Sequence, residues 1–144
     1  AAAGAGAFRN GDRIEVPTGP PPEPWRGSVY VRFMPEPLTA AITRASAGRF
    51  QPLAECGCAA VEYTNVLEGR KEFALYYRLL PWDHAAPALI LTEGGGCVEH
   101  LDGQTYRVQS ADQVRVVAPD ARLSERVRGW LRGLPCYNPP DGRR

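Results

Sequence analysis

The most hydrophobic stretch of the chain runs over residues 72–80 and constrains the fold more than any other segment. It contains neither Gly nor Pro and reads Glu-Phe-Ala-Leu-Tyr-Tyr-Arg-Leu-Leu. Aromatic and aliphatic side chains of this kind favour a β-strand. Because side chains two residues apart share one face of a strand, the pattern predicts a buried central strand. Its core face would carry Phe73, Leu75, Tyr77 and Leu79.

Other segments have the composition or the alternation of short strands, with turn residues between them. They are residues 12–16, 29–33, 58–66, 88–92, 97–101, 104–109 and 113–117. The Asp102-Gly103 pair predicts a hairpin, and residues 81–87 are expected to form a loop. Two helices are predicted as well, a short internal helix that opens at Pro37 and a C-terminal helix from Asp120 to Arg132.

These elements together predict a mainly β fold in one domain. A chain of 144 residues has the usual length of a single domain. We expect a small SH3-like barrel or sandwich over residues 8–136, with flexible tails at residues 1–7 and 137–144. Because closure of a barrel brings the terminal strands together, strands 12–16 and 113–117 should lie close together in one sheet.

The charge balance argues against a nucleic-acid-binding protein. The chain has 17 basic and 16 acidic residues, for a net charge of +1, whereas such proteins usually carry a positive excess that neutralises phosphates. No apolar run approaches the roughly 20 residues that a membrane span requires. The expected partner is therefore a protein or a peptide.

The four cysteines allow three interpretations; they are Cys56, Cys58, Cys97 and Cys136. Two disulfides could form, each joining one residue of the Cys-Gly-Cys segment to Cys97 or Cys136, because a bridge across a single residue is strained. Cys56, Cys58 and Cys97 with His100 could instead bind zinc, although the Cys-x-Cys gap is tighter than usual. Four inert thiols in a reducing compartment fit equally.

Two segments carry a resemblance to a known class of domain. Residues 8–16 read Phe-Arg-Asn-Gly-Asp-Arg-Ile-Glu-Val, and residues 25–33 read Trp-Arg-Gly-Ser-Val-Tyr-Val-Arg-Phe. This aromatic residue, Gly-Asp turn and alternating strand resemble the opening hairpin of SH3-like barrels of the Tudor, Agenet and bromo-adjacent-homology type. The resemblance implies ligand recognition by an aromatic site made of Trp25, Tyr30 and Tyr76, which could attract a methylated ammonium group.

The sequence carries no motif of a known catalytic or cofactor site. It lacks Gly-x-Ser-x-Gly, a phosphate-binding Gly loop that ends in Lys-Ser/Thr, and His-Glu-x-x-His. We therefore expect a non-catalytic module that binds a protein or peptide and needs no cofactor. Two alternatives stay open: a secreted or viral-surface domain held by disulfides, and a small zinc-stabilised or thiol enzyme.

Overall fold

Helices and strands alternate along most of the chain in the computed structural model, which describes residues 1–109 and 114–134. The strands are β1 (Ala7–Arg9), β2 (Asp12–Ile14), β3 (Trp25–Tyr30), β4 (Phe50–Pro52), β5 (Phe73–Tyr76), β6 (Cys97–His100) and β7 (Arg115–Ala118). The helices are α1 (Glu36–Ser46), α2 (Ala59–Leu67), α3 (Pro81–Glu93) and α4 (Ala121–Arg132).

Five strands form one mixed sheet in the order β4-β3-β5-β7-β6, and β1 and β2 form a separate antiparallel pair. Strand β3 is parallel to β4 and β5, while β7 is antiparallel to both β5 and β6. Strands β3, β5 and β6 therefore end at the same edge of the sheet. Their last residues, with the first residue of β7, form one row across it: Tyr30, Tyr76, Arg115 and His100.

Strand β5 is buried on both faces, because each face of the sheet is covered by helices. Phe73 and Leu75 contribute to a cluster with apolar residues of α1 and α4. Ala74 and Tyr76 point the other way, into a cluster with apolar residues of α2 and α3. The molecule therefore has a three-layer α/β architecture, in which a strand with no polar face lies at the centre.

The predicted β-barrel is wrong, and the physical reason lies in two helices that the sequence analysis assigned to strands and a loop. Residues 58–66 were expected as a strand, but Tyr63, Val66 and Leu67 recur at helical spacing and cover the sheet as α2. Residues 81–92 were expected as a loop and a strand, yet they form α3. Pro81 occupies the first turn of α3, where a missing N–H costs no helical hydrogen bond.

The predicted neighbours at the two ends of the chain are also separated. Strand β2 belongs to the two-stranded sheet, whereas β7 lies inside the five-stranded sheet. The predicted closure of a barrel by these two strands is therefore wrong. The resemblance to Tudor-type barrels is wrong with it, because a central sheet with helices on both faces does not close on itself.

Several predicted elements are confirmed. The central strand is present as β5 and contains the fully buried Phe73 and Leu75. Its predicted extension is wrong: the strand ends at Tyr76, Tyr77 is half-buried, and Leu79 packs against the apolar cluster on the other side of the sheet. The C-terminal helix is present as α4, and the Asp120 side chain caps it by accepting a hydrogen bond from the Leu123 amide at 2.8 Å. The internal helix is present as α1.

The first residues of the chain contact the domain. Ala7 is fully buried in β1, and the amides of Gly4 and Gly6 each donate a 2.8 Å hydrogen bond to the Glu93 carboxylate at the end of α3. The predicted tail at 137–144 lies outside the described residues, and the domain limits 8–136 stay a prediction. Among the helices that the structure describes, none is long and apolar enough to cross a membrane.

The central position of β5 predicts the cost of shortening Leu75, whose side chain is fully buried. Leu75→Ala should lower the free energy of unfolding by about 2–5 kcal/mol, because it leaves a cavity in the core. Leu89→Ala removes the same atoms from an exposed position on α3 and should cost under about 1 kcal/mol. Urea denaturation of both variants measures the difference, and equal losses would contradict the core assignment.

Candidate active-site cleft

A cleft of about 450 Å³ opens where the carboxyl ends of β3 and β5 meet the amino ends of α2 and α3. It is lined by Tyr30, Arg32, Phe33, Glu55, Gly57, Cys58, Ala59, Ala60, Tyr76, Tyr77, Arg78, Leu80, Trp82, Asp83 and His84. In open α/β sheets, ligands bind in the crevice outside the carboxyl ends of the parallel strands. The topology therefore makes this cavity the candidate binding site, and we call it the carboxyl-edge cleft.

Two helix N-termini line the carboxyl-edge cleft. Cys58 precedes α2 and Leu80 precedes α3, and neither cap residue makes a side-chain hydrogen bond to the first turn of its helix. The free amides and the helix dipole give such ends a partial positive charge, which favours anions. Both helices thus present an anion-attracting end to the same cavity.

Charged side chains of both signs line the cleft. Arg32 and Arg78 are exposed, and their guanidinium groups lie 5.3 and 5.5 Å from the centre of the Phe33 ring. Glu55 and Asp83 supply exposed carboxylates. Arginine pairs well with planar or tetrahedral oxyanions through several N–H donors. The two arginines and two helix ends therefore suit an anionic group such as phosphate.

Stacked tyrosines form one wall of the cleft. The rings of Tyr30 and Tyr76 lie 4.4 Å apart and nearly parallel. Neither hydroxyl oxygen meets a hydrogen-bond partner among the described residues. Burial, together with the negative charge of Glu62, raises the pKa of both groups well above the ordinary tyrosine value. The hydroxyls are therefore protonated and able to donate.

His84 is a buried neutral imidazole beside this tyrosine pair. It is 5% exposed, its ring contacts Tyr76 edge-on at 4.8 Å, and its Nδ1 lies 3.1 Å from the Tyr63 hydroxyl oxygen. Burial lowers the pKa of His84 to about 4, although the nearby Asp83 carboxylate opposes the shift. At neutral pH it therefore packs and shares a hydrogen bond with Tyr63 without carrying charge.

The structure brings two of the three predicted ligand-binding residues together and separates the third. Tyr30 and Tyr76 lie in the carboxyl-edge cleft, whereas Trp25 begins β3 at the opposite edge of the sheet. Five residue steps of about 3.3 Å separate Trp25 from Tyr30 by roughly 17 Å. Trp25 is half-buried instead, under the Arg126 guanidinium at 4.3 Å. The binding roles of these residues stay predictions.

The three cysteines in the described residues form no disulfide with one another. Cys56, Cys58 and Cys97 are free thiols, and Cys136 lies outside the described residues. Over residues 1–109 and 114–134, no three His, Cys, Asp or Glu side chains are grouped so as to hold a metal ion. The predicted zinc site is therefore not assembled from Cys56, Cys58, Cys97 and His100. Burial raises the pKa of the Cys97 thiol to about 12, so it is not a thiolate nucleophile at neutral pH.

Sequence reasoning missed the residues that the fold adds to the cleft, chiefly Arg78, Asp83 and the first turns of α2 and α3. One signal was present in the sequence. Pro81 followed by Trp82 and Asp83 is a favourable start for a helix, because proline suits the first turn and a carboxylate there interacts well with the dipole. A strand that ends just before such a start marks a ligand-binding edge.

The chain matches known proteins over nearly its whole length. The model of the inositol monophosphatase family matches residues 1–130. A fructose-1,6-bisphosphatase/inositol-1-monophosphatase of Thermotoga maritima is 35% identical over 103 residues, which cover 70% of this chain and 38% of that protein. An inositol-1-monophosphatase of Bacillus subtilis is 40% identical over 50 residues, 35% of this chain and 19% of that protein.

Solved structures show the same architecture. An IMPase of Thermotoga maritima superposes with a TM-score of 0.73 at 29% identity, covering 92% of this chain and 50% of that one. A staphylococcal IMPase-II with bound inositol monophosphate gives a TM-score of 0.77 at 22% identity, covering 92% and 52%, and this second likeness supports the fold alone. The chain thus spans about half the length of these structures, and less of the curated relatives.

The buried His84 predicts a loss of stability in mild acid. Its pKa of about 4 in the fold lies below the ordinary value of 6.5. The unfolded chain therefore takes up a proton first, and the native state is weakened as the pH falls from 6.5 towards 4. Between pH 7.5 and pH 5 the loss from this group should be about 2 kcal/mol.

The variant His84→Gln keeps a polar side chain but removes this titration. Urea denaturation at pH 7.5 and pH 5 should show that its stability falls by about 2 kcal/mol less than that of the unmodified protein. An equal fall in both proteins would mean that His84 is not the group responsible.

Proposed function

Because this chain belongs to the inositol monophosphatase family, we propose that its carboxyl-edge cleft binds the phosphate group of a phosphorylated polyol or sugar. The protein then acts in the hydrolysis of that phosphate monoester to inorganic phosphate and the free alcohol. Its relative in Thermotoga maritima is named for fructose 1,6-bisphosphate and inositol 1-phosphate, which share this chemistry.

Family membership corrects the functions expected from the sequence. The chain is related to phosphatases, so the expectation of a non-catalytic protein- or peptide-binding module of Tudor type is wrong. The same family match contradicts both alternative interpretations, a secreted or viral-surface domain and a small zinc or thiol enzyme. Disulfides were part of the secreted interpretation, and the three cysteines that the structure describes are free.

One observation carries the proposal: two helix N-termini and two arginines converge on one cavity at the carboxyl edge of the sheet. A phosphate group can accept hydrogen bonds from backbone amides at a helix start and from a guanidinium at the same time. Arg32 lies two residues beyond the end of β3 and Arg78 two residues beyond the end of β5, so the sheet sets the separation of the two cations. Neither feature depends on a bound ion.

Hydrolysis requires more than this binding site. Phosphatases commonly use divalent cations, which take oxygen ligands from several carboxylates. Glu55 and Asp83 line the cleft, but no group of three or more metal-ligating side chains is assembled among the described residues. The described residues therefore do not fit a complete metal site. We assign the binding and orientation of the phosphate group to the two arginines and the two helix N-termini of the cleft. We propose that further metal ligands lie outside the described residues.

Phosphate binding is tested most directly at Arg78. Isothermal titration with inorganic phosphate should show binding to the unmodified chain. Arg78→Ala should weaken it about 10- to 100-fold, because a hydrogen bond between charged groups is lost. Arg44→Ala is the matched control, since Arg44 is an exposed cation on α1 outside the cleft. Equal affinity of the two variants would contradict the assignment of the cleft.

Hydrolysis is tested on the protein purified from its native host. In the presence of Mg²⁺ it should release phosphate from inositol 1-phosphate or fructose 1,6-bisphosphate. The Arg78→Ala variant should lower kcat/KM by about tenfold or more, mainly through KM, because the lost contact binds substrate and transition state alike. Substrate binding without any release of phosphate would contradict the hydrolytic part of the proposal.

A protein partner is a separate proposal. The chain is 38% identical over 58 residues to the Neisseria meningitidis protein named "Putative Nus factor SuhB", which covers 40% of this chain and 22% of that one. The exposed rings of Trp82 and Phe33 at the rim of the cleft offer apolar contact area for a protein. Trp82→Ala should abolish co-purification of a specific partner, and unchanged co-purification would contradict this surface.

A further inference from the structure

A buried ion pair lies directly beneath the loop that leads into α2. Glu62, in the first turn of α2, is fully buried, and Lys71, just before β5, is 4% exposed. The Lys71 ammonium group contacts Glu62 Oε2 and donates a 2.6 Å hydrogen bond to Ser28 Oγ on β3. A charge pair this deep joins the helix to two strands of the sheet.

The loop is attached to this pair at two points, directly through Cys56 and through Ser28 at Leu53. We define the α2-entry loop as residues 53–58. Glu62 Oε1 accepts a 3.0 Å hydrogen bond from the Cys56 amide, and Ser28 Oγ donates a 3.3 Å hydrogen bond to the Leu53 carbonyl oxygen. A carboxylate in the first helical turn that reaches back to an amide before the helix resembles one half of a capping box. Here a lysine holds that carboxylate in place.

Charge favours the ionised form of Glu62 despite its burial. Burial alone would raise the pKa of Glu62, but the hydrogen bond from Lys71 lowers it below the ordinary value. The amino end of α2 adds a favourable interaction with a negative group. Glu62 is therefore a carboxylate that accepts from both Lys71 and the loop amide.

The α2-entry loop also supplies three of the residues that line the cleft. Glu55, Gly57 and Cys58 line the cavity, and Gly57 has a φ of +70°, which a residue with a side chain rarely adopts. The turn at Gly57 leads directly into Cys58 and the first residues of α2, which line the cavity. The hydrogen bonds of the loop to Glu62 and Ser28 help to hold that turn in place.

We infer that Glu62, held by Lys71, is a positioning residue that sets the α2-entry loop and the amino end of α2 for phosphate binding. This inference rests on the proposed function, since it concerns the same cleft. Neither side chain lines the cavity. Glu62 acts through the Cys56 amide, and Lys71 acts through Glu62.

Two double variants of the Glu62–Lys71 pair distinguish an effect on the position of the loop from an effect on the stability of the fold. Glu62→Leu with Lys71→Met removes both charges and the acceptor for the Cys56 amide, and an apolar pair of similar volume often preserves stability. Glu62→Gln with Lys71→Met removes the same charges but keeps an oxygen that can accept from that amide. The matched control is Arg26→Met with Glu72→Leu, which replaces an ion pair at the other end of β3.

Two readouts are measured well below the lowest Tm. The first is inorganic phosphate affinity by titration calorimetry. The second is the rate of amide hydrogen exchange over residues 53–58, read by mass spectrometry. The double variant E62L/K71M should weaken phosphate binding about 5- to 10-fold, as expected for a lost hydrogen bond. It should also speed amide exchange in the loop by about fivefold or more, because the Cys56 amide loses its acceptor and a released loop opens more often.

The E62Q/K71M variant keeps an acceptor for the Cys56 amide but loses the lysine that holds it, so it should change both readouts less than E62L/K71M does. The R26M/E72L control should stay close to the unmodified protein. The inference is overturned if E62L/K71M behaves like the unmodified protein, or if E62Q/K71M or the control changes as much as E62L/K71M does. Amide exchange does not depend on phosphate. Failure of the unmodified protein to bind phosphate would therefore overturn the proposed function alone, and amide exchange would still decide the role of Glu62.

A further variant removes the hydrogen bond between the Cys56 amide and Glu62 by changing the loop. Cys56→Pro removes the amide donor and leaves the buried pair intact, and the exposed position of Cys56 makes it tolerant of change. It should weaken phosphate binding and speed amide exchange over the rest of the loop, as E62L/K71M does. Unchanged affinity and amide exchange in C56P would also overturn the inference, even if E62L/K71M does not fold.

Discussion

Strand β5 has no side that faces solvent, and the rest of the structure follows from that constraint. Its four residues are all buried, with Phe73 and Leu75 on one face and Ala74 and Tyr76 on the other. A strand with two apolar faces needs a layer of structure on each side. Helices α1 and α4 cover one face and α2 and α3 the other, so a closed barrel with a solvent-facing exterior was never compatible with this segment.

The same arrangement creates the site. Because β3, β4 and β5 are parallel, their carboxyl ends meet at one edge. Helix α2 follows β4 and helix α3 follows β5, so both helices begin near that edge and run back along the sheet. Their unsatisfied amides and the arginines that follow β3 and β5 are thereby concentrated in one cavity. The anion binding that we propose would be a consequence of strand direction and needs no local sequence motif.

The buried charges beneath the cleft have a different role from the exposed charges that line it. Arg32, Arg78, Glu55 and Asp83 are exposed, so solvent screens them until a ligand displaces the water. Glu62 and Lys71 are hidden from solvent and satisfy each other. A buried pair contributes little net stability compared with apolar residues, but it tolerates few alternative geometries. This is the property that a loop at a binding edge requires.

Local patterns in the sequence determined the elements whose signals are short-range: the apolar core of β5, the start of α1 near Pro37, and α4 with its Asp120 cap. The resemblance to Tudor-type barrels, although wrong, named Tyr30 and Tyr76 as aromatic candidates, and the structure stacks these two side chains in one cleft. Only the tertiary structure decided that residues 59–67 and 81–93 are helices, because short apolar runs fit either period when their packing partner is unknown. It also decided which residues share the cleft. Arg78 and Asp83 are far from Tyr30 in the chain, and parallel pairing of β3 with β5 is a long-range contact that no local pattern encodes.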